Sequence, residues 1–129
     1  MSTPTLYNYD LDENCYKVRL LMSCLGTEAK QVAVDVVPGR EHLSPAIRAM
    51  SPSGSLPILK QDDQVLHEAE AILSWLARTC DPEHRFLPDD PDTFGKVMMW
   101  LTFSARELEA AVHARATAMM DAPGDIDAL

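Results

Sequence analysis

The side chains that could do chemistry in this sequence fall in three short segments, at residues 12–21, 51–59 and 66–73. The first holds a carboxylate, an amide and a thiol at Asp12, Asn14 and Cys15. The second has a proline, Pro57, inside a strand-like run, and the third has a carboxylate, Glu68, where a helix should begin. Free N–H groups and the macrodipole at a helix start favour anions. These groups are suited to binding a small charged ligand.

Metal and disulfide chemistry are not indicated by the remaining reactive side chains. The cysteines are odd in number and lack C-x-x-C spacing, so reduced thiols are expected. The histidines are dispersed, and none stands at metal-ligand spacing from another His or Cys. The residues concerned are Cys15, Cys24 and Cys80, and His42, His67, His84 and His113.

Composition limits both the size of the fold and the class of partner. The 129 residues, 47% of them hydrophobic, suffice for one full domain with an appendage. A net charge of -9 argues against nucleic acid or an anionic membrane, leaving a small molecule or another protein as the partner. No apolar run approaches the ~20 residues of a membrane span, and the start does not resemble a signal peptide. A cytoplasmic protein is expected.

The first part of the chain is typical of a βαβ unit. Thr5–Tyr9 predicts a strand, and an apolar stripe from Val18 to Leu25, ended by Gly26, predicts a helix. Gln31–Val37 alternates and is rich in valine, which predicts a second strand, parallel to the first through a right-handed crossover.

A loop and a ββα unit should follow. Pro38–Ser55 is rich in Gly and Pro and carries one short helical patch at Ala46–Met50. Two apolar runs at residues 56–59 and 64–66 predict an antiparallel hairpin, and Glu68–Thr79 predicts a helix with Ile72, Trp75, Leu76 and Thr79 on one face. The fold class is therefore α/β.

Beyond Asp81 the pattern changes to a linker and a helix. Prolines mark residues 82–92 as the linker, and Thr93–Met120 predicts one long helix that Pro123 and Gly124 should stop. The predicted division is residues 1–81, residues 82–92 and residues 93–129.

The three segments together resemble the glutathione-site segments of bacterial glutathione transferases. They read DENCYKVRLL at residues 12–21, SPSGSLPIL at residues 51–59 and LHEAEAIL at residues 66–73, in the order and spacing of that family. Phe86-Leu87-Pro88 and Trp100-Leu101 resemble the start of its helical domain. The resemblance implies a thioredoxin-like domain followed by a truncated all-helical region, with glutathione as substrate and no metal.

The resemblance also implies roles for individual residues. A cis bond at Leu56–Pro57 would turn the Leu56 backbone towards the cysteinyl part of glutathione, and Glu68 would accept its γ-glutamyl ammonium. Ala69 stands where the family usually has Ser or Thr, so one hydrogen bond to the ligand carboxylate is lost. Arg40 and His42, in the long loop, would meet the glycyl carboxylate.

The sulfur position departs from the family pattern. Asp12 occupies the place of the usual Ser or Cys, and a carboxylate there would raise the pKa of a neighbouring thiol. Asn14 is the alternative donor to sulfur, through its side-chain NH2. Helix capping explains Asp12 and Asn14 equally well. Cys15 lies at the helix start, where a thiol pKa can fall, but Asp12 replaces the first cysteine of a C-x-x-C, which excludes dithiol chemistry.

Two functions of different classes follow. The first is an enzyme that conjugates the glutathione thiol to an electrophile. The second is a non-catalytic glutathione-binding or protein-interaction module that kept the fold, which Asp12 and Ala69 would favour.

Self-association is predicted by the last helix. The apolar stripe through Val97, Leu101, Leu108 and Val112 needs a partner surface, because helices gain most of their stability from packing. We therefore expect a homodimer or larger assembly in light scattering at micromolar concentration. A monodisperse species at the 14.3 kDa of one chain would contradict this expectation.

Overall fold

The computed structural model describes residues 2–120 and divides the chain into two compact units. The first unit runs through Leu87 and the second begins at Pro88.

A four-stranded mixed sheet forms the centre of the first unit. Its strands are β1 (Thr5–Asn8), β2 (Lys30–Ala33), β3 (Ile58–Gln61) and β4 (Gln64–His67), in the order β2-β1-β3-β4. β1 pairs with β2 in parallel and with β3 in antiparallel orientation, and β3 pairs with β4 antiparallel. The predicted βαβ unit, hairpin and thioredoxin-like α/β class are confirmed.

Helix α1 (Glu13–Leu25) begins and ends with the residues that the sequence predicts. Asp12 is its N-cap. Gly26 has a φ of 64°, and the N–H of Thr27 reaches the Met22 carbonyl at 2.9 Å, which closes the helix with a left-handed cap. Val18 and Met22 are buried and form part of the core.

The predicted second strand, Gln31–Val37, is wrong in its extent. The strand starts at Lys30 and ends at Ala33, because its partner β1 ends at Asn8. One further backbone bond, from the Val34 N–H to the Asn8 carbonyl at 2.8 Å, completes the pairing. The remaining valines lie in the loop.

Two short helices lie in the connection between β2 and β3. A 3₁₀ helix spans Glu41–Leu43, and α2 spans Pro45–Met50. The side chain of Ser44 accepts a hydrogen bond from the Ile47 N–H at 3.4 Å, and proline suits the first helical position. The predicted patch at Ala46–Met50 is thus a helix that starts one residue earlier.

Both faces of the sheet are covered, and helix α3 (Ala69–Cys80) contributes to one of them. The larger cluster joins β1, β3, α1 and α3 through Leu6, Val18, Met22, Leu59, Ala69, Ile72 and Leu76. Alternation along the strands sends Ile58 to the other face, where it packs with Val34 and Ile47. On α3, Thr79 is exposed, contrary to the predicted face, and Ala77 is buried instead.

The first unit continues past the predicted boundary at Asp81. The Asp81 carboxylate is buried and accepts hydrogen bonds from the Phe86 N–H at 2.9 Å and from Arg85 Nε at 3.3 Å. The Phe86 N–H in particular lowers the pKa of this carboxyl. These contacts fix the following segment, in which Leu87 is buried, so residues 82–87 belong to this unit.

The second unit contains one long helical segment with a defect in its middle. Helix α4 (Pro91–Phe103) leads through a π-helical turn at Ser104–Leu108 into α5 (Glu109–Met120). The predicted start at Thr93 is wrong because Asp90 caps the helix, accepting from the Thr93 N–H at 2.8 Å. Leu108, which the predicted stripe includes, is exposed, because a π turn shifts the helical register. The predicted stop at Pro123 and Gly124 lies outside the described residues.

Candidate functional site

Strand register brings the three predicted segments to one end of the sheet. Ile58, the first residue of β3, is paired with both Tyr7 of β1 and His67 of β4. The residues before Ile58 therefore lie beside the chain that leaves β1 and the chain that leaves β4. These are the segments with Leu56–Pro57, with Asp12 and Asn14, and with Glu68 and Ala69.

The Leu56–Pro57 peptide bond is cis. Pro57 is buried and Leu56 is half-buried. Among residues 2–120, the Leu56 backbone makes no hydrogen bond outside helices and strands, and Leu56 belongs to neither. Its N–H and carbonyl are therefore open to a ligand in the region described.

The loop that carries His42 reaches the same end of the sheet. Gly54 has a φ of 75°, and a Cβ on it would lie 2.6 Å from the His42 carbonyl oxygen, so glycine is required for this close approach. The Nδ1 atom of His42 is buried without a hydrogen-bond partner in the described part of the chain. The backbone at His42 is therefore in direct contact with the backbone at Gly54, just before Leu56.

The N-terminus of α3 offers unoccupied backbone donors. Glu68 precedes the helix with a φ of 75°, and its side chain makes no capping bond. The first helical bond runs from the Ile72 N–H to the Glu68 carbonyl at 3.1 Å. The N–H groups of Ala69, Glu70 and Ala71, which come before Ile72, have no carbonyl within the helix to bind. They can therefore bind an anion at the start of α3.

Asp12 performs the capping role that the sequence left open as an alternative. Its Oδ1 accepts a hydrogen bond from the Cys15 N–H at 2.8 Å. Asn14, in the first turn of α1, is half-buried, and its amide has no hydrogen-bond partner among residues 2–120. The Asn14 side chain remains available to a ligand, whereas one oxygen of Asp12 is engaged.

The pKa of the Cys15 thiol is raised, whereas its position at a helix start suggests a lowered pKa. The side chain is fully buried, and this burial raises the pKa of the thiol to about 12. The Tyr9 N–H, 3.5 Å from Sγ, opposes the shift, and the neighbouring Asp12 charge adds to it. Cys15 is therefore a neutral core residue at physiological pH.

Two cations of α1, Lys17 and Arg19, bind specific partners. Lys17 Nζ lies 2.6 Å from Glu70 Oε1, which joins α1 to the first turn of α3. Arg19 donates to the Asn8 side chain and to the Asp10 carbonyl, the latter at 3.2 Å. None of these three partners lies on α1, so helical charge patterning gives no signal for the contacts.

A cavity of about 410 Å³ lies next to the candidate site, at the ends of β1 and β2. Its acidic lining includes Asp10, Asp35 and Glu41. The Asp35 N–H donates to Glu41 Oε2 at 2.7 Å. This bond closes the loop between the two residues. None of the predicted site residues lines this cavity.

Residues 2–120 contain neither a candidate metal-binding cluster nor a candidate membrane-spanning helix. Within them, no three His, Cys, Asp or Glu side chains are grouped so that they could hold a metal ion. No helix in the same range combines the length and apolar character needed to cross a membrane.

Comparisons with known proteins agree with the fold and the motifs. The family model for the glutathione S-transferase N-terminal domain matches residues 6–84. Glutathione S-transferase 1 from Dianthus caryophyllus is 33% identical over 85 residues, covering 66% of this chain and 38% of that relative. Maleylacetoacetate isomerase from Pseudomonas aeruginosa is 31% identical over 88 residues, covering 67% of this chain and 41% of that relative.

A solved structure is similar over most of the chain. The crystal structure of a possible glutathione S-transferase from Rhodopseudomonas palustris superposes with a TM-score of 0.78 at 30% identity, covering 90% of this chain and 55% of that one. The chain spans about two fifths of the length of the two curated relatives that it matches.

The buried thiol leads to a prediction about reactivity. Because the Cys15 pKa is raised to about 12, a thiol reagent at neutral pH should label the exposed Cys24 and leave Cys15 unmodified. We expect Cys15 to react roughly 100-fold or more slowly, since the thiolate is the reactive form. Labelling followed by mass spectrometry, with and without denaturant, measures this at each cysteine separately, and Cys24→Ser should remove the modification at that position while Cys15 stays unmodified. Fast labelling of Cys15 in the folded protein would contradict the burial argument.

Proposed function

Because the chain belongs to the glutathione S-transferase family, we propose that it binds glutathione where the three site segments meet and directs the glutathione thiolate at an electrophilic carbon. In this reaction a sulfur–carbon bond forms. Either a leaving group departs with the bonding electrons, or an activated double bond accepts them and then takes up a proton. The matched family region, residues 6–84, contains every predicted site residue.

The charges and donors at the sheet end complement those of glutathione. The open backbone of Leu56 suits the cysteinyl part, by pairing as a short added strand. Glu68 suits the γ-glutamyl ammonium, and the free N–H groups at the start of α3 suit its carboxylate. His42 lies in the loop that contacts Gly54 just before Leu56, and in this proposal it meets the glycyl carboxylate.

The backbone of Glu68 is the observation on which the proposal mainly depends. A φ of 75° is rare for any residue other than glycine and costs on the order of 1–3 kcal/mol. Such conformations concentrate at ligand sites. Here the carboxylate of Glu68 stays 61% exposed and contacts His67 Nδ1 at 3.3 Å rather than capping α3, so the helix donors are left for the ligand carboxylate and the acid stays within reach of its ammonium.

The sulfur of bound glutathione would lie near the start of α1 in this proposal. The Asn14 amide would donate to the thiolate and stabilise it. The Asp12 carboxylate would act against this, although its hydrogen bond with the Cys15 N–H satisfies one of its oxygens. The balance between these two groups would set how much of the bound thiol is ionised.

Self-association and a cytoplasmic location remain part of this proposal. Large apolar side chains of α4 are exposed, including Met99 at 55% and Trp100 at 62%. Such a surface favours pairing of two copies.

The first test concerns the γ-glutamyl end of the ligand. Glu68→Gln removes the charge opposite the ammonium and should weaken glutathione binding roughly 5- to 10-fold, since the site is partly screened by water. Isothermal titration calorimetry measures the dissociation constant.

Two control variants accompany Glu68→Gln. Glu83→Gln removes an exposed acid from the same unit and should leave the affinity unchanged, and Cys15→Ser should have almost no effect. Equal losses in Glu68→Gln and Cys15→Ser would show that the site is assigned wrongly.

The second test separates Asn14 from Asp12 through the pKa of bound glutathione. Asn14→Ala removes a donor to sulfur, so the thiol pKa should rise by roughly one unit and kcat should fall about 10-fold. Asp12→Asn keeps a good N-cap but removes the charge, so the pKa should fall and the rate at neutral pH should rise. Thiolate absorbance against pH and turnover of a standard electrophile measure both effects. If the pKa of bound glutathione shifts in the same direction in both variants, these roles of Asn14 and Asp12 are ruled out. If the wild type binds glutathione without turnover, a non-catalytic module is favoured.

A further inference from the structure

The ion pair between Lys17 and Glu70 stands next to the proposed ligand-binding end of α3. Lys17 Nζ and Glu70 Oε1 are 2.6 Å apart, and the two side chains are 31% and 18% exposed. Glu70 lies in the first turn of α3, beside Ala69 and close to Glu68. The pair therefore connects α1 directly to the turn whose N–H groups are free.

Glu70 would otherwise interfere with an anionic ligand at this turn. A carboxylate in the first turn of a helix is attracted to the free N–H groups of the same helix. It can therefore compete for these donors, and its charge repels any other carboxylate that approaches them. In the structure the Glu70 carboxylate contacts Lys17.

The charges of the ligand make this arrangement necessary. The γ-glutamyl group of glutathione brings one ammonium and one carboxylate, whereas the protein has two acids at this point, Glu68 and Glu70. Glu68 can be matched by the ammonium. No positive charge of the ligand remains for Glu70, so the matching charge must come from the protein, and Lys17 supplies it.

We propose that Lys17 is a positioning residue for the glutathione site: it holds and neutralises the Glu70 carboxylate, and so keeps the N–H groups of α3 free for the γ-glutamyl carboxylate. This inference depends on the proposed function. Lys17 acts through Glu70 and does not itself need to touch the ligand.

Four proteins test this role in calorimetric titrations with glutathione at low salt. Lys17→Met keeps the aliphatic stem but leaves Glu70 unpaired, and should weaken binding roughly 3- to 10-fold. Glu70→Gln should bind at least as well as the wild type. The double variant Lys17→Met/Glu70→Gln should recover wild-type affinity within about twofold, and Lys60→Met, the loss of an exposed lysine of the same unit, should change nothing.

A second ligand distinguishes this role from a general structural one. Glutathione whose γ-glutamyl carboxylate is converted to an amide should lose less affinity in Lys17→Met than glutathione does, since the charge repulsion from Glu70 is then absent and only its competition for the N–H groups remains. A merely structural role of Lys17 would weaken both ligands alike. If Lys17→Met loses its fold, which circular dichroism detects, the double variant and Glu70→Gln still test the proposal, because a loss of glutathione binding in either variant would overturn it.

The outcomes separate this inference from the proposed function. Wild-type protein that binds glutathione, with unchanged affinity in Lys17→Met or no recovery in the double variant, overturns the role of Lys17 and leaves the function intact. Wild-type protein that does not bind glutathione overturns both.

Discussion

The pairing of Ile58 on both sides is the constraint on which the rest of this structure depends. Ile58 is fully buried and is paired with Tyr7 on one side and His67 on the other. A slip of one residue would turn Leu59 and Ile58 to the wrong faces of the sheet, so burial fixes the register. Because three strands share that register, three loops distant in sequence meet at one end of the sheet, and this meeting creates the candidate site.

Charge placement at the starts of two helices gives that end of the sheet its chemical character. At α1 the Asp12 carboxylate caps the helix, burial and to a lesser extent the Asp12 charge raise the pKa of Cys15, and the Asn14 amide stays available. At α3 the side chain of Glu68 does not cap the helix, and Glu70 is paired with Lys17. One helix start is therefore closed by its own acid, and the other is left open for an outside anion.

The errors in the sequence-based predictions have identifiable physical causes. The valines of Gln31–Val37 favour a longer strand than the one that forms, because β2 has no pairing partner beyond the end of β1 at Asn8. Thr79 was assigned to the buried face of α3 on periodicity, yet the neighbouring elements cover Ala77 instead. The π turn at Ser104–Leu108 has no signal in the hydrophobic pattern, and it changes which residues face outward after it.

Local sequence determined the elements and the segments of the site, because caps, turns and hydrophobic periods act over a few residues. Asp12, Gly26 and the hairpin after Pro57 all took the roles that their local chemistry implies. Only the tertiary structure decided what faces those segments. The pairing of Lys17 with Glu70, the contacts of Arg19 with the end of β1, and the high pKa of Cys15 all depend on packing between elements far apart in the chain, which no local pattern encodes.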